Sequence, residues 1–127
     1  MKLNLLIDEY RSNWALRFLR EARSDIVIAE KSVDPLTRTY LTCIAMKKLQ
    51  TVIYYALGDP AYLAPLVAQS IKQKIQVQDP ILRFLLQIEW LIQIHKVVGP
   101  DNHAEALLKV SRLLHYVTQI VQEITGA

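Results

Sequence analysis

Apolar residues recur once per helical turn along almost the whole chain, and Asp-Pro or Gly-Pro steps cut that pattern into segments. In the first, Trp14, Ala15, Phe18, Leu19, Ala22, Ile26 and Ala29 fall on one side of a helical winding, which predicts a helix from about Leu3 to Lys31. Its alanines permit a close helix neighbour, while Leu16, Val27 and Ile28 lie off the stripe. The second predicted helix runs from Pro35 to Leu57, with Leu41, Ile44, Ala45, Leu49, Val52, Ile53 and Ala56 inward. The third is short. Pro65 lacks the donor that a helix interior needs, so its regular part is expected at about Leu66 to Ile75. The last, about Pro100 to Ile124, places Leu107, Val110, Leu114, Val117, Val121 and Ile124 at steps of 3, 4, 3, 4 and 3, flanked by Ala106, Leu113 and Ile120. Such a seam suits a shallow crossing along another helix.

The fourth segment, Asp79 to Gly99, is oily on two sides. Twelve of the eighteen residues from Ile81 to Val98 are apolar. Ile81, Phe84, Leu85, Ile88, Leu91, Ile92 and Val98 form a broad stripe; Leu86, Trp90, Ile94 and Val97 form a second row roughly opposite. Glu89, Gln93 and Lys96 form a wet strip between them. A helix with two apolar faces must be covered from two sides, so this one is expected to be central or shared with a partner.

The punctuation supports these boundaries. Asp34-Pro35, Asp59-Pro60 and Asp79-Pro80 each open a segment, and Gly99-Pro100-Asp101 opens the last. An Asp side chain accepts from orphan amides at a helix start, and Pro suits the first helical position. Gly58 and Gly99 stand where a helix is expected to stop in a left-handed turn, as does Gly126 at the end of the last. Connections of two to five residues make neighbouring helices antiparallel. The steps between Asp-Pro pairs, 25 and then 20 residues, are too uneven for a solenoid. The fold class is therefore all-α, an up-and-down bundle of five helices (four long, one short third helix) in a single domain over 1–127.

Composition narrows the class of protein. With 52% hydrophobic and 21% charged residues in 127, the chain has the means to bury a core, and disorder is excluded. Cys43 is the lone cysteine, so no internal disulfide forms, which fits a reducing cytoplasm. No stretch reaches 18 uncharged apolar residues, and the apolar run before Asp8 is too short for a signal peptide, so neither a membrane span nor a secretory leader is expected. The net charge of +3 is unevenly placed. Residues 1–58 hold nine Lys or Arg against six acids, and residues 59–127 six against six. Arg17, Arg20, Arg23, Arg38, Lys47 and Lys48 carry the surplus. They read either as a solvated face, with Arg17, Glu21 and Asp25 at pairing distance along one helix, or as a nucleic-acid footprint.

Candidate chemistry is sparse. His95 lies in the apolar stripe of the fourth helix and is expected to be a neutral, hydrogen-bonded core residue. His103 belongs to the opening turn of the last helix. Arg112 and His115, three apart on its polar face, are the best constellation for phosphodiester chemistry, with His as acid or base and Arg on the phosphate. Asp25, at the core edge of the first helix, is expected to be hydrogen-bonded or paired with an Arg. No metal ligand set, phosphate loop or nucleophile motif occurs, so no metal, cofactor or catalytic residue is assigned. The tyrosines read as core rim, or as interface where Tyr54 and Tyr55 adjoin.

The first helix, NWALRFLREARSDIVIAE, resembles the opening helix of HEPN-like domains through Ala22, Asp25 and Ala29. The second and last helices are similar in character to that family's second and final ones. The resemblance implies an up-down bundle that commonly dimerises and is often tied to RNA cleavage, toxin-antitoxin pairs or CRISPR operons. The family's catalytic Arg is followed four to six residues later by His, a signature absent here; Arg112 and His115 stand too close. The reading is a non-enzymatic interaction or assembly protein that pairs as a homo-dimer through Leu86, Trp90, Ile94 and Val97. A HEPN-like RNA- or nucleotide-associated module is the alternative.

Overall fold

A computed structural model describes residues 9–58, 60–73, 80–98 and 103–125, apart from the side chains of Tyr62, Ile81, Val98, His103 and Thr125. The chain is an all-α bundle of α1 (Glu9–Lys31), α2 (Pro35–Leu57), α3 (Pro60–Lys72), α4 (Pro80–Val98) and α5 (His103–Thr125). The expected first helix extends to Leu3, and its residues 3–8 lie outside the described ones, as do Gly99, Pro100, Asp101 and Gly126.

At the start of α2 the expected cap is in place. The Asp34 carboxylate accepts from the Thr37 amide at 3.0 Å and from the Thr37 hydroxyl at 2.6 Å. Those two bonds hold its pKa below the ordinary carboxylate value, with the Arg38 charge adding to them. Three sequence expectations are corrected. First, α3 starts at Pro60 and runs through Pro65 instead of restarting at Leu66. One missing donor does not stop a helix whose Val67 and Ser70 are buried in the bundle. Second, Gly58 closes α2 in an extended conformation (φ −179°) instead of a left-handed one, its amide bonded to the Tyr54 carbonyl. A Cβ there would stand 2.8 Å from Leu63 Cδ1, so the position is tight because α3 folds back over it.

The third correction concerns the centre of the molecule. It is α2, not α4, that packs against all four other helices, while α4 lies mainly on α2 and α3. α2 buries a face broader than the expected inward row, adding Thr42, Met46, Gln50 and Tyr54, while Tyr40 and Lys47 stay exposed. Two of its buried polar side chains have partners: the Thr42 hydroxyl donates to the Arg38 carbonyl at 2.8 Å, and Gln50 donates to Glu89 at 2.7 Å. By contrast α4 buries one face only, Leu85, Ile88, Ile92 and His95. Its oiliness comes from a face its own chain does not cover.

Side-chain pairs give the helix directions. Arg11 reaches the Gly58 carbonyl, Trp14 and Phe18 stack on Tyr55, and Lys48 meets Glu21 and Asp25, so α1 and α2 are antiparallel. Gln50 with Glu89, and Thr39 with His95, make α2 and α4 antiparallel. α4 and α5 run oppositely too, with Phe84 near Tyr116 at one end and His95 near Ala106 at the other. The four long helices therefore alternate in direction. One buried cluster takes members from all five helices, from Ala15, Ala22, Leu49 and Ile53 to Val67, Ile88, Val110 and Val117. Ala15, Ala22 and Ala29, spaced seven apart and fully buried, let α1 lie close on α2.

Candidate interaction surface

The outer side of α4 is an uncovered apolar row. Trp90 is 54% exposed, Ile94 51% and Val97 87%, with Leu86 half-buried at the row's flank. These residues recur at i, i+4, i+8 and i+11, which keeps them on one helical face while Leu85, Ile88 and Ile92 fill the opposite one. Beside this row α4 and α5 border a groove of about 250 Å³, floored by Phe84, Ile88, Leu91 and Leu113 and rimmed by Lys109, Arg112 and Tyr116. It continues past Leu91 and Lys109 toward Ile94, His95 and Ala106. On the α5 rim Leu108 and Tyr116 are exposed. Glu105 pairs with Lys109 at 3.0 Å along the same helix, and Arg112 has no ion-pair partner among the described residues.

The histidines divide as their positions suggest. His95 is buried, and its Nε2–H donates to the Thr39 carbonyl at 3.1 Å, which ties α4 to the start of α2. His115 is exposed beside Tyr116, and no hydrogen bond joins it to Arg112 among the described residues. The side chain of His103 lies outside the description.

The six basic residues are not gathered on one face. Arg17 lies 5.1 Å over the Trp14 ring and 3.4 Å from Glu21. Lys48 turns inward to α1, with Nζ 2.8 Å from Asp25 and 3.4 Å from Glu21. Burial pulls the Lys48 pKa down, but the bonds and charges of Asp25 and then Glu21 outweigh it and leave it raised. Asp25, expected to be hydrogen-bonded or paired with an Arg, meets Lys48 of α2. Arg23 reaches Thr118 on α5 at 3.5 Å, and Lys47 opens onto a groove between α2, α3 and α4. Arg20 is exposed, and Arg38 keeps a buried Nε without a hydrogen-bond partner among the described residues.

Sequence reasoning missed Gln50, which is buried beside Glu89, and read Tyr54, also buried there, only as core rim or interface. The signal was there: Gln50 and Tyr54 are one turn apart, facing the wet strip of α4. Tyr55, expected at the rim, stacks between Trp14 and Phe18 and belongs to the core boundary. Among the described residues no three His, Cys, Asp or Glu cluster as metal ligands, and no helix is long and apolar enough to cross a membrane. No family model, curated protein or solved structure matches the chain.

Proposed function

We propose that the protein is a helical assembly module that pairs with a second copy of itself through the outer face of α4 and the adjoining rim of α5. The observation that carries the reading is the exposed row of Trp90, Ile94 and Val97, large apolar side chains held together on one rigid helix. The row is self-complementary. Setting two α4 helices antiparallel with Trp90 on the two-fold axis places Leu86 of one copy against Ile94 of the other, four residues to either side. The same axis serves α5. Leu91 and Lys109 line one stretch of groove, so Trp90 and Leu108 stand at about the same height. Antiparallel α5 helices crossing at Leu108 bring Glu105 of one copy to Arg112 of the other, three and four residues away from the axis. Two neighbouring helices, each 19 residues or more, offer roughly 28 Å by 20 Å, or about 600 Å² per copy, at the lower end of what specific pairs bury.

Light scattering across a concentration series tests this. The expected mass is twice 14.6 kDa at high micromolar concentration, falling to 14.6 kDa for Trp90→Glu. Glu105→Arg and Arg112→Glu should each weaken the pair, and the two together should restore it, because the swapped charges still face each other. A single 14.6 kDa species at every concentration, or a dimer indifferent to Trp90→Glu, refutes the proposal.

A further inference from the structure

On the other flank of α4, away from the Trp90 row, α2, α3 and α4 enclose a groove of about 400 Å³, within the roughly 300–1,000 Å³ range of small-molecule sites. Its chemistry is ordered along its length. The Gln50–Glu89 bond at 2.7 Å fixes the register of the two antiparallel helices. Lys47 stands one turn from Gln50, and Lys96 two turns from Glu89, both toward the end where His95 meets Thr39. Tyr54 lies one turn the other way, toward Pro60 and Ala64 of α3, while Ile92 lines the groove between Glu89 and Lys96.

The charges in this groove are fixed but not neutralised. Glu89 accepts from two amides, Gln50 at 2.7 Å and Gln93 at 3.0 Å, which orient a carboxylate without cancelling its charge. Neither Lys47 nor Lys96 has a carboxylate within ion-pair distance among the described residues, and Tyr54, which lines the groove, has no hydrogen bond to another described residue through its hydroxyl. An anion alone entering the groove meets Glu89, and a cation alone meets two ammonium groups. A molecule carrying both charges one carbon apart, followed by an apolar group, satisfies every element in sequence.

We infer that this groove binds a free α-amino acid with an apolar side chain. Its carboxylate sits between Lys47 and Lys96, its ammonium on Glu89, and its side chain against Pro60 and Ala64 at the Tyr54 end. The neutral Tyr54 hydroxyl donates to the ligand carboxylate or accepts from its ammonium. This site is independent of the self-pairing face, and its test does not depend on oligomeric state.

Calorimetric titration of the full chain with L-phenylalanine and L-leucine reads the site directly. Expected is saturable binding of at least one of them, with N-acetyl-L-phenylalanine and phenethylamine, each lacking one charge, weaker by about tenfold or more. Lys96→Ala, at an exposed position, should weaken binding about tenfold while leaving the melting temperature unchanged, and Glu89→Gln should abolish the preference for the free amine over the acetylated ligand. No saturable heat with either amino acid overturns the inference, as does equal binding of the single-charge analogues or an affinity indifferent to Lys96→Ala.

Discussion

If α2 is the hub and the outer row of α4 belongs to an interface, two truncations to alanine should behave in opposite ways. Leu49 lies in the middle of α2 with no exposed surface and touches the cluster shared by all five helices. Leu49→Ala removes its transfer free energy and leaves a cavity that rigid neighbours cannot close, a loss of about 3–4 kcal/mol. A domain of 127 residues holds on the order of 13 kcal/mol in total. Its unfolding entropy, about 0.27 kcal/mol per kelvin, turns a 3 kcal/mol loss into a melting point lower by roughly 11 °C. Trp90 is the larger side chain, but half of it already faces solvent, so Trp90→Ala should cost the single chain about 1 kcal/mol or less. Its effect should appear instead in concentration dependence. The wild type gains stability as it is concentrated, by about 2.7 kcal/mol at one hundred times the dissociation constant, and Trp90→Ala should gain little. Thermal melts of both variants, at dilute and concentrated protein, decide the matter. Equal losses for the two at high dilution would show that α4 is packed as deeply as α2. A wild-type melting point flat with concentration would remove the interface.

Two further perturbations have signs set by the structure. Burial, and after it the Glu89 charge, push the Tyr54 pKa up to about 12 from an ordinary 10. Its neutral form is the native one, so its contribution is intact below pH 10 and is lost as pH climbs through about 12, because the unfolded chain ionises first. Ultraviolet titration should show one late phenol, missing in Tyr54→Phe and shifted part of the way down in Glu89→Gln; all tyrosines titrating together in the folded protein would contradict it. At Gly58 the obstacle to a side chain is the Leu63 methyl at 2.8 Å, not the backbone conformation. Gly58→Ala should therefore cost about 1 kcal/mol in chemical denaturation and lose most of that cost in a Leu63→Ala background; additive losses would point to backbone strain instead.

Helix boundaries were legible because they are written in local chemistry. Pro35, Pro60 and Pro80 each stand at the first residue of a helix, and the Asp34 cap is made by the atoms its sequence position implies. The stripe of α1 was legible for a related reason: its buried residues Ala15, Leu19, Ala22, Ile26 and Ala29 form one narrow face, which leaves a clean period. The role of α2 was not. A helix covered over so broad a face keeps only a narrow wet strip, so Thr42 and Gln50 count as outward residues until their partners are known. Gln50 is buried because Glu89 lies opposite it, a fact about a residue 39 positions away. The six basic side chains divide for the same reason. Their spacing along α1 and α2 says which are exposed to a neighbour, but only the pairing of helices shows that Lys48 meets Asp25 and that Lys47 faces α4.

The placement of α3 explains why α4 has a face to spare. In a four-helix bundle each helix is flanked by two others, and alternate directions close the ring. Here α3 takes one flank of α4 and α2 its underside, while α5 lies mainly on α1 and α2. The ring is therefore drawn open along the α4–α5 seam, where a floor of Phe84, Ile88 and Leu113 is reached from outside. A chain under selection only to fold would set polar residues along such a seam, since each exposed apolar side chain there adds nothing to its own stability. Trp90, Ile94, Val97 and Leu108 stand exposed beside it instead, and in the proposed pair one two-fold axis would serve both helices. That coincidence of heights on two separate helices is harder to obtain from scattered surface residues than the row on α4 alone. It makes the charge exchange between Glu105 and Arg112 a sharper trial of the pairing than any single loss of apolar surface.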